Sequence, residues 1–302
     1  MAPDPSRPAQ LTRPKTPETW LAAMPAVFVL LWSTGFIGAK LGSPFAPPFT
    51  FLLLRFAVGV AALTLTALVL RAPWPRGWKE LRRIALVGVL IHAAYLGGVF
   101  LAISVGVPAG IAALIVSLQP LATAIVSGPY LGERLRHWQW LGLVLGFLGV
   151  ALVVIDKLAW RGPDSLGVAA AIIALLGITG GTLYQKRHAT GMHLVTGSCV
   201  QFAAAAVALL PLALLVETRP VEWTGAFVFA LLWLSFVLSI GAITLFHLMI
   251  RRGAAAKVAS LFYLTPAVTA LLAWMLFGET LSWPAIVGMV LATAGAALVT
   301  RG

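Results

Sequence analysis

Apolar residues fill this 302-residue chain in long stretches, each ended by a short polar, glycine-rich or proline-rich segment. An α-helix needs about 20 apolar residues to cross the hydrocarbon core of a bilayer. Because lipid offers the backbone no hydrogen-bond partner, such stretches must fold as helices. The pattern predicts ten spans, at residues 20–40, 49–70, 83–105, 108–130, 138–155, 166–185, 194–216, 223–250, 255–277 and 283–300.

The span pattern occurs twice at a constant spacing. The segment ALIVSLQP, which begins at Ala113, aligns with ASLFYLTP, which begins at Ala259, so Pro120 falls on Pro266 with an offset of 146 residues (266 − 120 = 146). The same offset, without a gap, aligns the Gly-Glu pairs at 132–133 and 278–279. The sequence therefore predicts two five-helix repeats. Since each repeat has an odd number of spans, the second is expected to be inverted in the membrane.

The composition supports a membrane protein with very little soluble mass. Hydrophobic residues make up 60% of the chain and charged residues 10%, whereas soluble domains carry about 25% charged residues. Residues 1–18 are proline-rich and are expected to form a disordered cytoplasmic tail. The two repeats are assigned to residues 19–156 and 165–302.

The net charge of +12 suggests nucleic-acid binding only if the positions of the charges are ignored. Of the 21 Lys and Arg residues, 16 lie on the same side of the ten-span arrangement as the N-terminus. Four lie on the other side, and Arg55 lies inside a span. Lys and Arg accumulate in cytoplasmic loops, so both termini are expected in the cytoplasm of a cell with a bacterial-type inner membrane. Nucleic acid is not expected as a partner.

Several motifs resemble those of one transporter family. They are Trp32-Ser-Thr-Gly-Phe, Lys40 at the end of the first span, Arg55-Phe56, Pro120, Pro266 and the two Gly-Glu pairs. Over about residues 20–300 the chain resembles the ten-helix EamA-type exporters of the drug/metabolite transporter superfamily. This resemblance implies a transporter of small molecules. Exporters of aromatic and other amino acids look most similar, on the strength of His92 and Tyr95 alone.

Polar and aromatic residues inside the spans are the candidates for a substrate cavity, because polar groups at membrane depth usually face a protein interior. His92 and Tyr95 are three residues apart and share one helix face. Arg55 lies about six residues inside its span, where it pairs with a carbonyl or attracts a substrate carboxylate. For each candidate the alternative is an interhelical hydrogen bond or an interfacial anchor. The candidates are His92, Tyr95, Trp32, Ser33, Ser117, Gln119, Tyr184, Phe246, His247, Tyr263 and Arg55.

Pro120 and Pro266 are predicted to interrupt the fourth and ninth spans, since proline removes a backbone donor. Matched interruptions in two halves of a transporter point to a pathway at the repeat interface. Gly142, Gly146 and Gly149 are spaced for close packing of the fifth span on the tenth. The same face is an alternative contact between subunits, so a monomer is expected and a homodimer stays possible.

Three functions are weighed. The leading one is export of small metabolites, especially aromatic or apolar amino acids, by alternating access through a central cavity. A multidrug exporter of organic cations is weakened because all nine acidic residues fall in the tail, loops or span ends. A lipid-active membrane enzyme would need an acid cluster, a nucleophile–base pair or a metal set. The sequence shows none of these, and no cofactor or metal is expected.

Overall fold

The computed structural model describes residues 18–105, 107, 112, 115–132, 134–155, 165–252, 255–277 and 283–301. Within these residues the regular structure is entirely helical. The helices are α1 (Glu18–Gly42), α2 (Pro48–Val69), α3 (Trp78–Ser104), α4 (Gln119–Leu131), α5 (His137–Ile155), α6 (Ser165–His188), α7 (Leu194–Val216), α8 (Gly225–Arg252), α9 (Ala255–Ser260, a 3-10 turn Leu261–Tyr263, and Leu264–Phe277) and α10 (Trp283–Arg301).

Seven helices of the described chain are long and apolar enough to cross a membrane. They are α1, α2, α3, α6, α7, α8 and the Val258–Leu276 part of α9. The apolar part of α10, Ile286–Val299, is shorter. The described part of α4 has 13 residues, and the predicted start of its span at residue 108 lies outside the described residues. The all-helical membrane fold is confirmed, while the count of ten crossings stays a prediction.

Helix contacts follow the repeat. When helices are renumbered by five, several of the main contacting pairs map onto other contacting pairs: α1–α9 onto α6–α4, and α3–α6 onto α8–α1. The pairs α2–α7 and α5–α10 map onto themselves. This exchange is the pattern expected of two repeats related by a two-fold axis.

Helices α5 and α10 pack through glycines, as their spacing predicts. A Cβ atom added to Gly142 would lie 2.6 Å from the carbonyl oxygen of Gly295. A Cβ added to Gly149 would lie 2.6 Å from the carbonyl oxygen of Gly288. Only residues without a side chain allow two backbones to approach this closely, so this pair forms a unit beside the central helices.

Hydrogen bonds connect helices α2 and α7 near both of their ends. The Glu217 carboxylate, directly after α7, accepts hydrogen bonds of 2.7 Å from the backbone N–H groups of Phe49 and Thr50 at the start of α2. At the other end, Thr196 Oγ1 donates to the carbonyl oxygen of Pro73 at 2.7 Å. A helix start carries unpaired N–H groups and partial positive charge, so Glu217 stabilises the end of α2 from which Arg55 is positioned.

Candidate functional site

A cavity lies among α1, α2, α3 and α8. Its volume is about 40 Å³, and the chemistry-bearing residues on its wall are Trp32, Arg55, His92 and Tyr95. The rest of the wall is apolar and includes Phe100 and Leu238. Since one water needs roughly 10–15 Å³ by this measure, the cavity has space for a few waters. An amino acid therefore requires the surrounding helices to move apart.

One wall of the cavity is aromatic. The rings of Trp32 and Tyr95 are stacked, with centroids 6.4 Å apart and planes 9° apart. Behind Trp32 lie the rings of Phe28, Phe246 and Phe262, at centroid distances of 5.1, 5.9 and 5.1 Å. Tilted and edge-on ring contacts of this kind favour particular ring orientations. Trp32 therefore presents a rigid aromatic face to whatever enters the cavity.

Arg55 brings a positive charge to the cavity. Its side chain is 4% exposed, and its Nε donates to Ser239 Oγ of α8 at 2.9 Å. Ser239 Oγ in turn donates to the carbonyl oxygen of Leu234 at 3.0 Å. Among the residues that the structure describes, no carboxylate pairs with Arg55. A guanidinium group is always charged and presents donors in a planar fork suited to a carboxylate. With Nε engaged, its two Nη groups have no hydrogen-bond partner among the described residues and are available to a ligand.

His92 lies on the cavity wall and contacts the second repeat. Its Nε2 is 3.2 Å from Gln201 Oε1 of α7. The ring of Phe202 meets the imidazole edge-on at 4.7 Å, and that of Phe56 does so at 6.0 Å. Gln201 was not among the predicted site residues. The repeat offset pointed to it, because Gln201 is the equivalent of Arg55 (201 − 55 = 146).

The polar cavity residues of α3, and the α8 serine that binds Arg55, lie on π-helical segments. Val89–Leu96 of α3 carries His92 and Tyr95, and Trp233–Ala242 of α8 carries Ser239. The two segments end at equivalent positions of the repeats (242 − 96 = 146). π-Helical turns are rare and occur frequently at functional sites. No pattern in the sequence predicts them.

The structure thus brings together four predicted site residues: Trp32, Arg55, His92 and Tyr95. It places others in the helix packing around the cavity. Phe246 stands behind Trp32, at a centroid distance of 5.9 Å. Ser33 ties α1 to α9, since its Oγ donates to the carbonyl oxygens of Val29 at 2.7 Å and Thr265 at 3.3 Å.

The remaining candidates do not belong to the cavity wall. His247 is fully buried, with Nδ1 3.5 Å from Ser198 Oγ of α7. Gln119 donates to Thr123 Oγ1 within α4 at 3.1 Å. Tyr263 packs with Leu143 in a cluster beside α5 and α10. Ser117 is buried at the turn before α4, and Tyr184 stacks on His188 at 4.4 Å near the end of α6. Sequence alone does not indicate which face of these helices turns to the centre.

Both prolines mark helix starts. Pro120 is the second residue of α4, which follows a turn at residues 117–118. Pro266 is the third residue of Leu264–Phe277, which follows the 3-10 turn Leu261–Tyr263. Proline fits the first turn of a helix because no intrahelical partner exists there for its missing N–H. Both prolines are buried, and neither belongs to the cavity wall.

Comparison with known proteins identifies the family. The model of the EamA-like transporter family matches residues 19–155 and, a second time, residues 165–301. The chain belongs to the EamA-like transporter family. As a member of this family it has the two-repeat transporter fold, which agrees with the resemblance found in its sequence motifs.

Relatives match over nearly the full chain. A Bacillus subtilis protein named uncharacterized transporter YvbV is 28% identical, over 94% of this chain and 92% of its own length. A probable terminal-alkyne amino-acid exporter of Streptantibioticus cattleyicolor is 30% identical, over 94% and 90%. A probable amino-acid metabolite efflux pump of Escherichia coli is 27% identical, over 88% and 90%.

A solved crystal structure shares the fold. It is 22% identical in sequence, has a TM-score of 0.76, and covers 94% of this chain and 97% of its own. The family and its relatives establish this protein as a multi-pass membrane transporter.

Proposed function

We propose that this transporter exports amino acids with aromatic or apolar side chains, by alternating access through the cavity among α1, α2, α3 and α8. The observation that carries the proposal is the buried guanidinium of Arg55, which has no carboxylate partner among the described residues, beside a stacked Trp32–Tyr95 wall. The guanidinium binds the substrate carboxylate, and the rings bind an apolar or aromatic side chain. The amino-acid exporters among the relatives support the same substrate class.

Arg55 also argues against export of organic cations, the alternative raised by the sequence. A cationic ligand in this cavity would meet a like charge at low dielectric, where repulsion between charges is strong. Aromatic faces attract cations, but at roughly 0.5–2 kcal/mol they do not offset a nearby unscreened charge. A zwitterion carries the carboxylate that this cavity lacks.

A membrane enzyme is not favoured either. The polar groups at the cavity are one guanidinium, one imidazole, one phenol and an indole. Hydrolysis at a lipid headgroup would require a nucleophile and base in mutual contact, or a bound metal. The transporters and exporters among the relatives support the same conclusion.

Uptake of labelled phenylalanine into proteoliposomes tests the proposal. Arg55→Leu is expected to lower phenylalanine uptake on the order of 10- to 100-fold, because hydrogen bonds to a charged group contribute about 1.5–3 kcal/mol. Arg82→Leu, which removes an exposed charge near the start of α3, is the matched control. Wild-type transport of a lipophilic cation such as tetraphenylphosphonium in preference to phenylalanine would instead establish the cation alternative.

A further inference from the structure

Gln201 is fully buried, and both ends of its amide are engaged. Its Nε2 donates to the thioether sulfur of Met192 at 3.4 Å, and its Oε1 is 3.2 Å from His92 Nε2. A thioether sulfur has no hydrogen to give, so only the NH2 group of the amide satisfies it. The amide oxygen is consequently the atom that faces His92.

An amide oxygen accepts hydrogen bonds and cannot donate one. His92 must therefore carry a hydrogen on Nε2. In the neutral imidazole one ring nitrogen is a donor and the other an acceptor, which leaves Nδ1 with a free lone pair. Among the described residues Nδ1 has no hydrogen-bond partner, and His92 lies on the cavity wall. Phe56 and Phe202 pack against the same ring and hold its orientation.

We propose that Gln201 is a positioning residue that fixes His92 as the Nε2–H tautomer, so that Nδ1 offers a hydrogen-bond acceptor to the ammonium group of the substrate. The inference rests on the proposed function, which supplies a substrate with an ammonium group. The two halves of the zwitterion are then recognised by equivalent positions of the two repeats. Arg55 in α2 binds the carboxylate directly, and Gln201 in α7 acts on the ammonium through His92.

Positions 55 and 201 are equivalent in the two repeats but carry different residues, and recognition of a zwitterion explains this difference. Each reaches the π-helical segment of the opposite repeat: Arg55 contacts Ser239 in α8, and Gln201 contacts His92 in α3. Two arginines at these positions would give two buried cations and no acceptor. One arginine and one glutamine give a donor fork on one side and an imidazole acceptor on the other, which is the pattern a zwitterion requires.

The tautomer is measured directly by 15N NMR of histidine-labelled protein in lipid nanodiscs at neutral pH, without substrate. The chain has five histidines, and His92 is assigned as the signal lost in His92→Gln. We expect a protonated Nε2 and an unprotonated Nδ1 in the wild type, and loss of this single state in Gln201→Leu. Gln139→Leu, which removes a buried glutamine that donates to the carbonyl oxygen of Val299 in α10, should leave the His92 signal unchanged. An Nδ1–H tautomer in the wild type overturns the proposal.

Binding to the substrate is tested with paired ligands. Phenylalanine and 3-phenylpropanoate share the ring and the carboxylate, and only phenylalanine has an ammonium group. Each ligand, unlabelled, is tested as an inhibitor of the uptake of labelled phenylalanine. In Gln201→Leu the half-inhibitory concentration of phenylalanine is expected to rise about five- to tenfold, while that of 3-phenylpropanoate stays unchanged. An equal loss for both ligands would show a merely structural role and overturn the proposal. A protein that binds neither ligand contradicts the proposed function, and the NMR measurement still decides the tautomer.

Discussion

Arg55 is a permanent cation whose side chain is almost completely buried in a membrane protein. An uncompensated charge at membrane depth is costly and usually marks a functional position. The protein compensates part of the charge with neutral groups. Ser239 Oγ accepts from Arg55 Nε at 2.9 Å, and the serine hydroxyl donates onward to the carbonyl oxygen of Leu234. A neutral hydroxyl orients the guanidinium without cancelling the charge, so the charge stays available to a substrate carboxylate.

Removing the hydroxyl of Ser239 tests this arrangement. In Ser239→Ala the Nε–H group of Arg55 loses its acceptor, and an unsatisfied buried donor costs about 1–3 kcal/mol. We expect a higher KM for phenylalanine, with a smaller change in the maximal rate, because the guanidinium is misoriented rather than absent. The control is Ser235→Ala on the same π-helical segment, whose hydroxyl reaches only the backbone carbonyl of Arg55 at 3.4 Å. Equal effects of the two substitutions would contradict a specific role for Ser239.

The sequence predicted part of this site and missed its supporting residues. His92 and Tyr95 were found because polar groups spaced by three residues in an apolar span share a face, and both lie at the cavity. Tyr263 has equally suggestive chemistry but packs beside α5 and α10. In a span that is apolar on every side, periodicity does not show which face is central. The partners Gln201 and Ser239 come from other helices, so their contacts depend on tertiary packing.

At the scale of elements, span positions were predictable and backbone irregularities were not. Nine of the predicted spans end within five residues of the helix ends in the structure, because a bilayer fixes helix length. The π-helical segment of α3 left no composition signal, since Val89–Leu96 is about as apolar as Gly97–Ser104, which follows it. A π-turn depends on where neighbouring helices hold the chain. Here α3 contacts α6 and α7 across it, and α8 contacts α1 and α2 across its counterpart.

The close contact between helices α5 and α10 can be tested by replacing a glycine in it. A Cβ at Gly149 would lie 2.6 Å from the carbonyl oxygen of Gly288 and 2.9 Å from the Cα of Ala292, so the backbones must separate. Gly149→Ala is therefore expected to destabilise the protein by about 1–3 kcal/mol, as overpacking does. Thermal unfolding in detergent measures the effect.

The matched control for this substitution is Gly180→Ala in α6. No described atom lies within 4 Å of a Cβ placed there, and alanine in a helix interior is favoured over glycine by roughly 0.5–1 kcal/mol. Unfolding temperatures should therefore fall for Gly149→Ala and stay equal or rise for Gly180→Ala. A stable Gly149→Ala protein would mean that α5 and α10 do not pack at this distance.

At the scale of the whole molecule, the exchange of helix pairs between repeats fits an inverted arrangement in the membrane. The charge distribution predicts the orientation: 16 of 21 basic residues fall on the side of the N-terminus when the chain crosses ten times. Reporter fusions at Gly162 and at Gly191 are expected to report opposite sides of the membrane, with both termini in the cytoplasm. The same side from both fusions would contradict the inverted repeat.

Whether transport is coupled to protons depends on which ionisable groups lie within the membrane. All nine acidic residues of the sequence fall in the tail, loops or span ends, and Glu217 is held at the start of α2. Proton-coupled carriers use buried carboxylates or histidines as relays. His92 and His247 are the buried histidines within the spans, and each ring has a nitrogen within 3.5 Å of a side chain of α7. Because the sequence places no carboxylate in the middle of a span, we expect the substrate to move down its own gradient while the two repeats rock between inward and outward states. Any proton coupling would have to be carried by His92 or His247.

Phenylalanine uptake into proteoliposomes with and without an imposed pH gradient tests this account. Uptake should be driven by the amino-acid gradient alone, with little effect of the pH gradient on the rate, since the sequence places all nine acidic residues in the tail, loops or span ends. The matched measurement uses a double variant, His92→Gln with His247→Gln. If uptake requires the pH gradient in the wild type and loses that requirement in the double variant, the two histidines carry protons. If uptake requires the gradient in both proteins, a coupling group lies elsewhere, and passive exchange is excluded.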